Sequence, residues 1–192
     1  MKKVQKGMPG YLNYKKKAEI FRTVIYFGIV ILIFLLGYSQ THTRLNMLTV
    51  VAVLGCLPAS KALVGVISRF PYPSVEEKLT KEVNHVTTHL TVGYDMIITS
   101  REKIMPVDCV VISGCTVVGY THYSKVDVNE ASRYIRSILI ENQFSGAHVK
   151  ILNQYKAFLA RAEGMDNIAA VEKEDTKDIE ARILHTILNI SM

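Results

Sequence analysis

Hydrophobic positions dominate one stretch of the chain and then become periodic. From Thr23 to Thr43 no charged residue interrupts the sequence, whose centre reads VIYFGIVILIFLLGY; a second apolar run, Leu45 to Ser68, is broken only by Lys61. About 20 apolar residues at 1.5 Å of helical rise each cross a hydrocarbon core of ~30 Å. The pattern predicts two membrane-spanning helices, about 23–41 and 46–68, within an anchor spanning 23–70. The first run exceeds the roughly 7–15 residues of a signal-peptide core. Two such helices are also too apolar all round to be covered by a soluble domain of this size.

Beyond the anchor, at 71–192, the pattern is that of a small α+β domain. Phe70-Pro71-Tyr72-Pro73 stops the second helix, because proline cannot continue the hydrogen-bond ladder. Ser74 and Glu77 have capping-box spacing, which predicts a helix to about Val86. Three β-rich stretches follow, near His89–Thr99, Val107–Ser113 and Cys115–Thr121, with Ser113-Gly114 as a hairpin turn. Asp127 or Asn129 can cap a helix to about Asn142, with Ala131, Tyr134, Ile135, Ile138 and Leu139 on one face. His148–Leu152 reads as a strand. Asn153 can cap a helix from Gln154 to about Glu163, with Tyr155, Phe158 and Leu159 inward. After the charged stretch Glu172–Lys177, a last helix carries Ile179, Ile183, Leu184, Ile187 and Leu188 on one face. The predicted order is helix, three strands, helix, strand, two helices.

Charge gives the anchor a direction. The chain has 192 residues and a net charge of +6, with a mean hydropathy of +0.18. Much of the positive charge lies in the flank 1–22, at Lys2, Lys3, Lys6, Lys15, Lys16, Lys17 and Arg22, opposed only by Glu19. The connecting loop carries Arg44 alone, and Arg69, Lys78 and Lys81 follow the second run. The positive-inside rule places both termini in the cytoplasm. Cys56, Cys109 and Cys115 make no disulfide framework, which suits a reducing compartment. Lys61, one turn after Pro58 among Gly55, Ala59, Ser60 and Ala62, is the one charge inside a span. Either it snorkels toward the cytoplasmic interface, with ~12 Å of helix below it, or it marks a polar notch between the helices. The geometry favours snorkelling.

The order helix, three strands, helix, strand resembles the core of the restriction-endonuclease-like fold, including the nuclease-related domain found beside some bacterial membrane segments. That family places an acid at the start of its second strand and Glu-x-Lys near the end of its third. Asp108, in PVDCVVISG, stands where the first acid falls. Gly119, Tyr120, Thr121, His122 and Tyr123 fill the Glu-x-Lys region without a carboxylate. A divalent-metal nuclease needs at least two acidic oxygens on the ion and a lysine near the attacking water. The resemblance therefore implies a catalytically degenerate member.

Other chemistries find little support. His85 and His89 have i, i+4 spacing, but neither an intervening HExxH glutamate nor a third ligand accompanies them. Cys115 and His122 are too far apart on one strand for a nucleophile–base hydrogen bond. No phosphate-cradling or dinucleotide glycine motif is present. The expectation is a multi-pass cell-membrane protein, both termini cytoplasmic, tethering a non-catalytic interaction or scaffold domain. A membrane-anchored nuclease-related enzyme with an atypical site is the alternative, and a transport-complex accessory subunit, resting on Lys61, the second. Expected partners are the lipid bilayer and a protein or second copy met through the helices or the domain; nucleic acid, cofactors and metals are not expected. The candidate functional positions are Lys61, Pro58 and Asp108.

Overall fold

The computed structural model describes residues 3–43, 46–100, 103–172 and 176–192. Lys2, Arg44, Leu45 and 173–175, which entered the charge and pattern arguments, lie outside the described residues. The chain forms two compact units, Leu12–Pro73 and a larger one combining Met1–Tyr11 with Ser74–Met192. That the first residues group with the C-terminal part is not visible in the hydrophobic pattern.

The smaller unit contains helix α1, Tyr11–Thr41, and helix α2, Met47–Arg69. Both are long and apolar enough to cross a membrane. α1 starts twelve residues earlier than the apolar run, because Lys15–Lys17 extend the helix beyond its hydrophobic part. Asn46 caps α2, its side chain accepting the Thr49 N–H at 2.8 Å, which offsets one of the orphan donors at a helix start. Small residues let the helices approach: Ala52 and Ala59 are buried, and a Cβ on Gly55 would meet Val30 at 3.0 Å. At the far end Arg69 donates to both Glu19 oxygens at 2.8 Å, and Lys16 donates to the Phe70 carbonyl at 3.1 Å. α1 and α2 therefore run as an antiparallel hairpin.

The larger unit is built on a four-stranded sheet of order β1-β2-β3-β4: β1 Thr91–Thr99, β2 Ile104–Ser113, β3 Thr116–Tyr120 and β4 His148–Leu152. β1, β2 and β3 are an antiparallel meander, and β4 joins β3 in parallel. A parallel neighbour requires a crossover, supplied by α4, Val128–Glu141. Three further helices complete the unit: α3 Glu77–Val86, α5 Tyr155–Glu172 and α6 Lys177–Asn189. Helices cover both sheet faces. Ala131, Ile135 and Leu139 of α4 with Ile183 and Ile187 of α6 form one core; Val83 of α3 with Phe158, Ala162 and Met165 of α5 form the other.

Several local expectations shift. Ser74 and Glu77 make no capping box: Glu76 is the N-cap residue of α3 and offers no side-chain bond. Asp127, rather than Asn129, caps α4, accepting the Asn129 and Glu130 N–H groups. The β2–β3 turn is centred on Gly114 and Cys115, since Ser113 already pairs with Thr116; Gly114 has φ +52°, which glycine adopts freely. β2 starts at Ile104 rather than Val107, α5 runs on to Glu172, and Ile179 stands exposed on α6.

Candidate functional site

Asp108 lies within β2. The ladder places it opposite Asp95 of β1, between the pairs Tyr94–Cys109 and Met96–Val107. Both carboxylates are buried, at 2% exposure for Asp95 and 6% for Asp108. Like charges facing across a ladder repel, and the backbone here is irregular as well. Asp95 has φ +54°, a left-handed conformation that Asp tolerates better than most residues. The alternation of both strands is reset at this pair. On β1, Val92 and Tyr94 pack with α3 and α5, whereas Met96 and Ile98 pack with α4 and α6. On β2, Met105 and Val107 belong to the α4–α6 core, and Cys109 and Val111 to the α3–α5 core.

Each acid has hydrogen-bond donors. Asp95 Oδ1 accepts the Val75 N–H at 2.8 Å. Asp108 Oδ2 accepts the His122 backbone N–H at 2.7 Å and lies 2.7 Å from His122 Nδ1. Burial pushes the Asp108 carboxyl above its ordinary range; the bonds from His122 pull it back in part, and the Asp95 charge adds to the rise. His122 sits just beyond β3, its side chain 51% exposed, with the Tyr123 ring 3.8 Å from its own. A carboxylate on Nδ1 favours the tautomer protonated there and leaves Nε2 as the acceptor. The pair therefore fixes the ring and turns Nε2 outward from the carboxylate. Among the described residues no three His, Cys, Asp or Glu side chains converge to hold a metal ion.

A second pair repeats the arrangement. Asp166 of α5 accepts the His89 N–H at 2.6 Å and lies 3.1 Å from its Nδ1, and Thr88 donates to the same carboxylate. Burial alone raises Asp166, but these bonds outweigh it and hold the acid below its ordinary range. Here the pair ties the end of α3 to α5.

Of the positions singled out by sequence, Asp108 joins this cluster. Pro58 and Lys61 lie in the other unit, both exposed on α2, whereas the neighbouring Ala59 is fully buried. Lys61 is thus not brought into the seam between α1 and α2. Cys115, in the β2–β3 turn, and His122 lie at opposite ends of β3. His85 is exposed on α3, and His89 follows the helix end. Sequence reasoning passed over Asp95, yet a lone acid inside the apolar run GYDMIIT is a signal, since a buried charge needs a partner. Clefts of about 380 Å³, between the β2–β3 turn and α5, and about 340 Å³, between the end of α4 and α6, contain neither Asp108 nor His122.

Fold and cluster define an α+β domain with a buried aspartate pair and a half-exposed histidine, carried in one chain with two long apolar helices. No family model matches the chain, nor does any curated protein or solved structure.

Proposed function

We propose that the chain is a two-pass membrane protein that tethers a non-catalytic interaction domain at the cytoplasmic face of the cell membrane. The anchor reading is supported by how little of each helix the protein covers: in the most apolar 18-residue window of each, only 11% is buried. Phe21, Leu32, Leu57 and Ile67 are all more than 60% exposed, and such surface is stable only in an apolar solvent. Lys61, exposed on α2, then snorkels to the interface.

The observation that carries the non-catalytic reading is the engagement of Asp108. The acid that the resemblance singles out, fifth residue of β2 rather than at its start, clamps the chain leaving β3 by both the backbone and the ring of His122. The order and pairing of the strands support the resemblance to the restriction-endonuclease-like core, read as a degenerate member. The domain then holds a cytoplasmic protein or a second copy near the bilayer.

One observation favours a second reading, a membrane-anchored enzyme with an atypical site: His122 is half-exposed and backed by an acid, as a general base is. The full chain in detergent separates the two when incubated with DNA and with RNA in Mg²⁺ or Mn²⁺. The expected result is no cleavage above that of Asp108→Ala. Cleavage that disappears in both Asp108→Ala and His122→Ala overturns the scaffold reading.

A further inference from the structure

The segments that lead into and out of the apolar hairpin are both fastened to the kink opposite Asp108. The N-terminal segment reaches it first. Gly7 accepts the Tyr94 N–H at 2.8 Å, and Lys6 Nζ donates to the Ser191 carbonyl at 2.6 Å. Gly7 is buried with φ +87°, and a Cβ there would stand 3.1 Å from Leu188 Cδ1. No other residue fits this position without strain. Four residues later α1 begins. The segment leaving α2 ends on the next residue of β1, where the Val75 N–H bonds Asp95. Two consecutive residues, Tyr94 and Asp95, thus hold both connections.

We propose that the Tyr94–Asp95 kink is a latch through which the two apolar helices control the His122 loop. This rests on the membrane reading for the origin of the signal, but the latch lies wholly within the larger unit. The kink combines a left-handed aspartate with a buried acid facing it, an arrangement that persists only while its surroundings hold it. Withdrawal of the Gly7 carbonyl frees the Tyr94 amide, and withdrawal of Val75 removes a donor from Asp95. Either change relaxes the kink and moves the Asp95 charge relative to Asp108. Asp108 is the residue that fixes His122 by backbone and ring, so the loop loosens. Coupling passes through contiguous contacts: the Tyr94 N–H bond to Gly7, the like charge of Asp95 facing Asp108 across the ladder, and the bonds from His122 to Asp108.

Hydrogen exchange on the full chain in lipid nanodiscs tests the latch. Gly7→Ala forces a Cβ against Leu188 in a left-handed conformation and releases the N-terminal segment. Asp95→Gly keeps the backbone conformation and removes the carboxylate; Asp95→Asn keeps both conformation and acceptor. Gly7→Ala and Asp95→Gly are expected to speed exchange of the Val92–Met96 and Gly119–Ser124 segments by about fivefold or more, with Asp95→Asn and the α4 segment Arg133–Leu139 within about twofold of wild type. The latch is overturned if Val92–Met96 does not respond to Gly7→Ala, if it responds without Gly119–Ser124, or if α4 accelerates equally. Alkaline extraction of native membranes tests the anchor separately. A chain released by alkali overturns the membrane reading and leaves the exchange result intact.

Discussion

Two buried carboxylates in the larger unit are shifted in opposite directions although burial raises both, and their hydrogen bonds explain why. Glu180 is 1% exposed. It accepts the Thr91 hydroxyl at 2.6 Å, the Gly114 N–H at 3.0 Å, the Thr176 hydroxyl at 2.8 Å and Lys177 Nζ at 2.9 Å. Burial raises its carboxyl, but these four donors together hold it below the ordinary value of 4.5. Asp108 has one histidine as donor and a like charge opposite, and rises above 3.8. The linkage signs differ accordingly. Glu180 contributes stability that is present above pH 4.5 and lost as pH falls through its lowered value. Asp108 takes up a proton in the folded state first, so its contribution declines as pH rises from 3.8 through its raised value. Glu180→Gln is expected to cost about 2 kcal/mol at pH 7, the loss of a charged, multiply bonded acceptor, and less toward pH 3.5. For Asp108→Asn, which still accepts from His122, melting temperature relative to wild type should climb from pH 3.5 to 7. Thermal unfolding of the full chain in detergent reads both; differences that do not vary with pH contradict the assignment.

At the scale of elements, what was legible depended on whether the pattern had one period. α1 and α2 declare themselves by long apolar runs, the second interrupted only by Lys61, and α4 by the spacing of Ala131, Ile135 and Leu139. The pattern predicts α5 only to about Glu163, because beyond it Met165 turns to the core while Ile168 and Val171 stand in solvent, which blurs a single stripe. The kink was not legible at all. A strand that changes face midway reads as an unbroken apolar run, and only Asp95 and Asp108 mark the reset. The N-terminal segment, polar and rich in Gly and Pro, carries no periodicity, and its docking depends on backbone atoms and on Gly7 having no side chain. Asp108 was found through a family pattern, whereas His122 gains its meaning only from a contact across the β2–β3 hairpin. The hairpin's closing staple belongs to the same scale. Glu19 and Arg69 are 14% and 15% exposed, and their bond joins the first part of α1 to the last turn of α2. Arg69→Glu should broaden the distance distribution between spin labels at Arg22 and Ile67, and the swap Glu19→Arg with Arg69→Glu should narrow it again. A swap no narrower than the single variant would count against the staple.

At the scale of the whole molecule, the N-terminal segment constrains topology independently of charge. Residues that bond Tyr94 and Ser191 occupy the same aqueous compartment as the larger unit, because a folded strand edge cannot be shared across a bilayer. On the two-pass reading proposed above an even number of crossings is required, and two spanning helices in a hairpin would supply it. The proposed side comes from the flanking lysines and arginines, through the positive-inside rule. One labelling experiment separates the shared compartment of the termini from the side on which they lie. In intact cells, a membrane-impermeant maleimide should modify His42→Cys, between α1 and α2, and should reach Lys3→Cys and Met192→Cys only after permeabilisation, with the wild-type cysteines as the background. Labelling of Lys3→Cys and Met192→Cys from opposite sides breaks the hairpin and the docked N-terminal segment together. Labelling of both from outside keeps the hairpin and reverses only the orientation, and with it the cytoplasmic setting of Asp108 and His122.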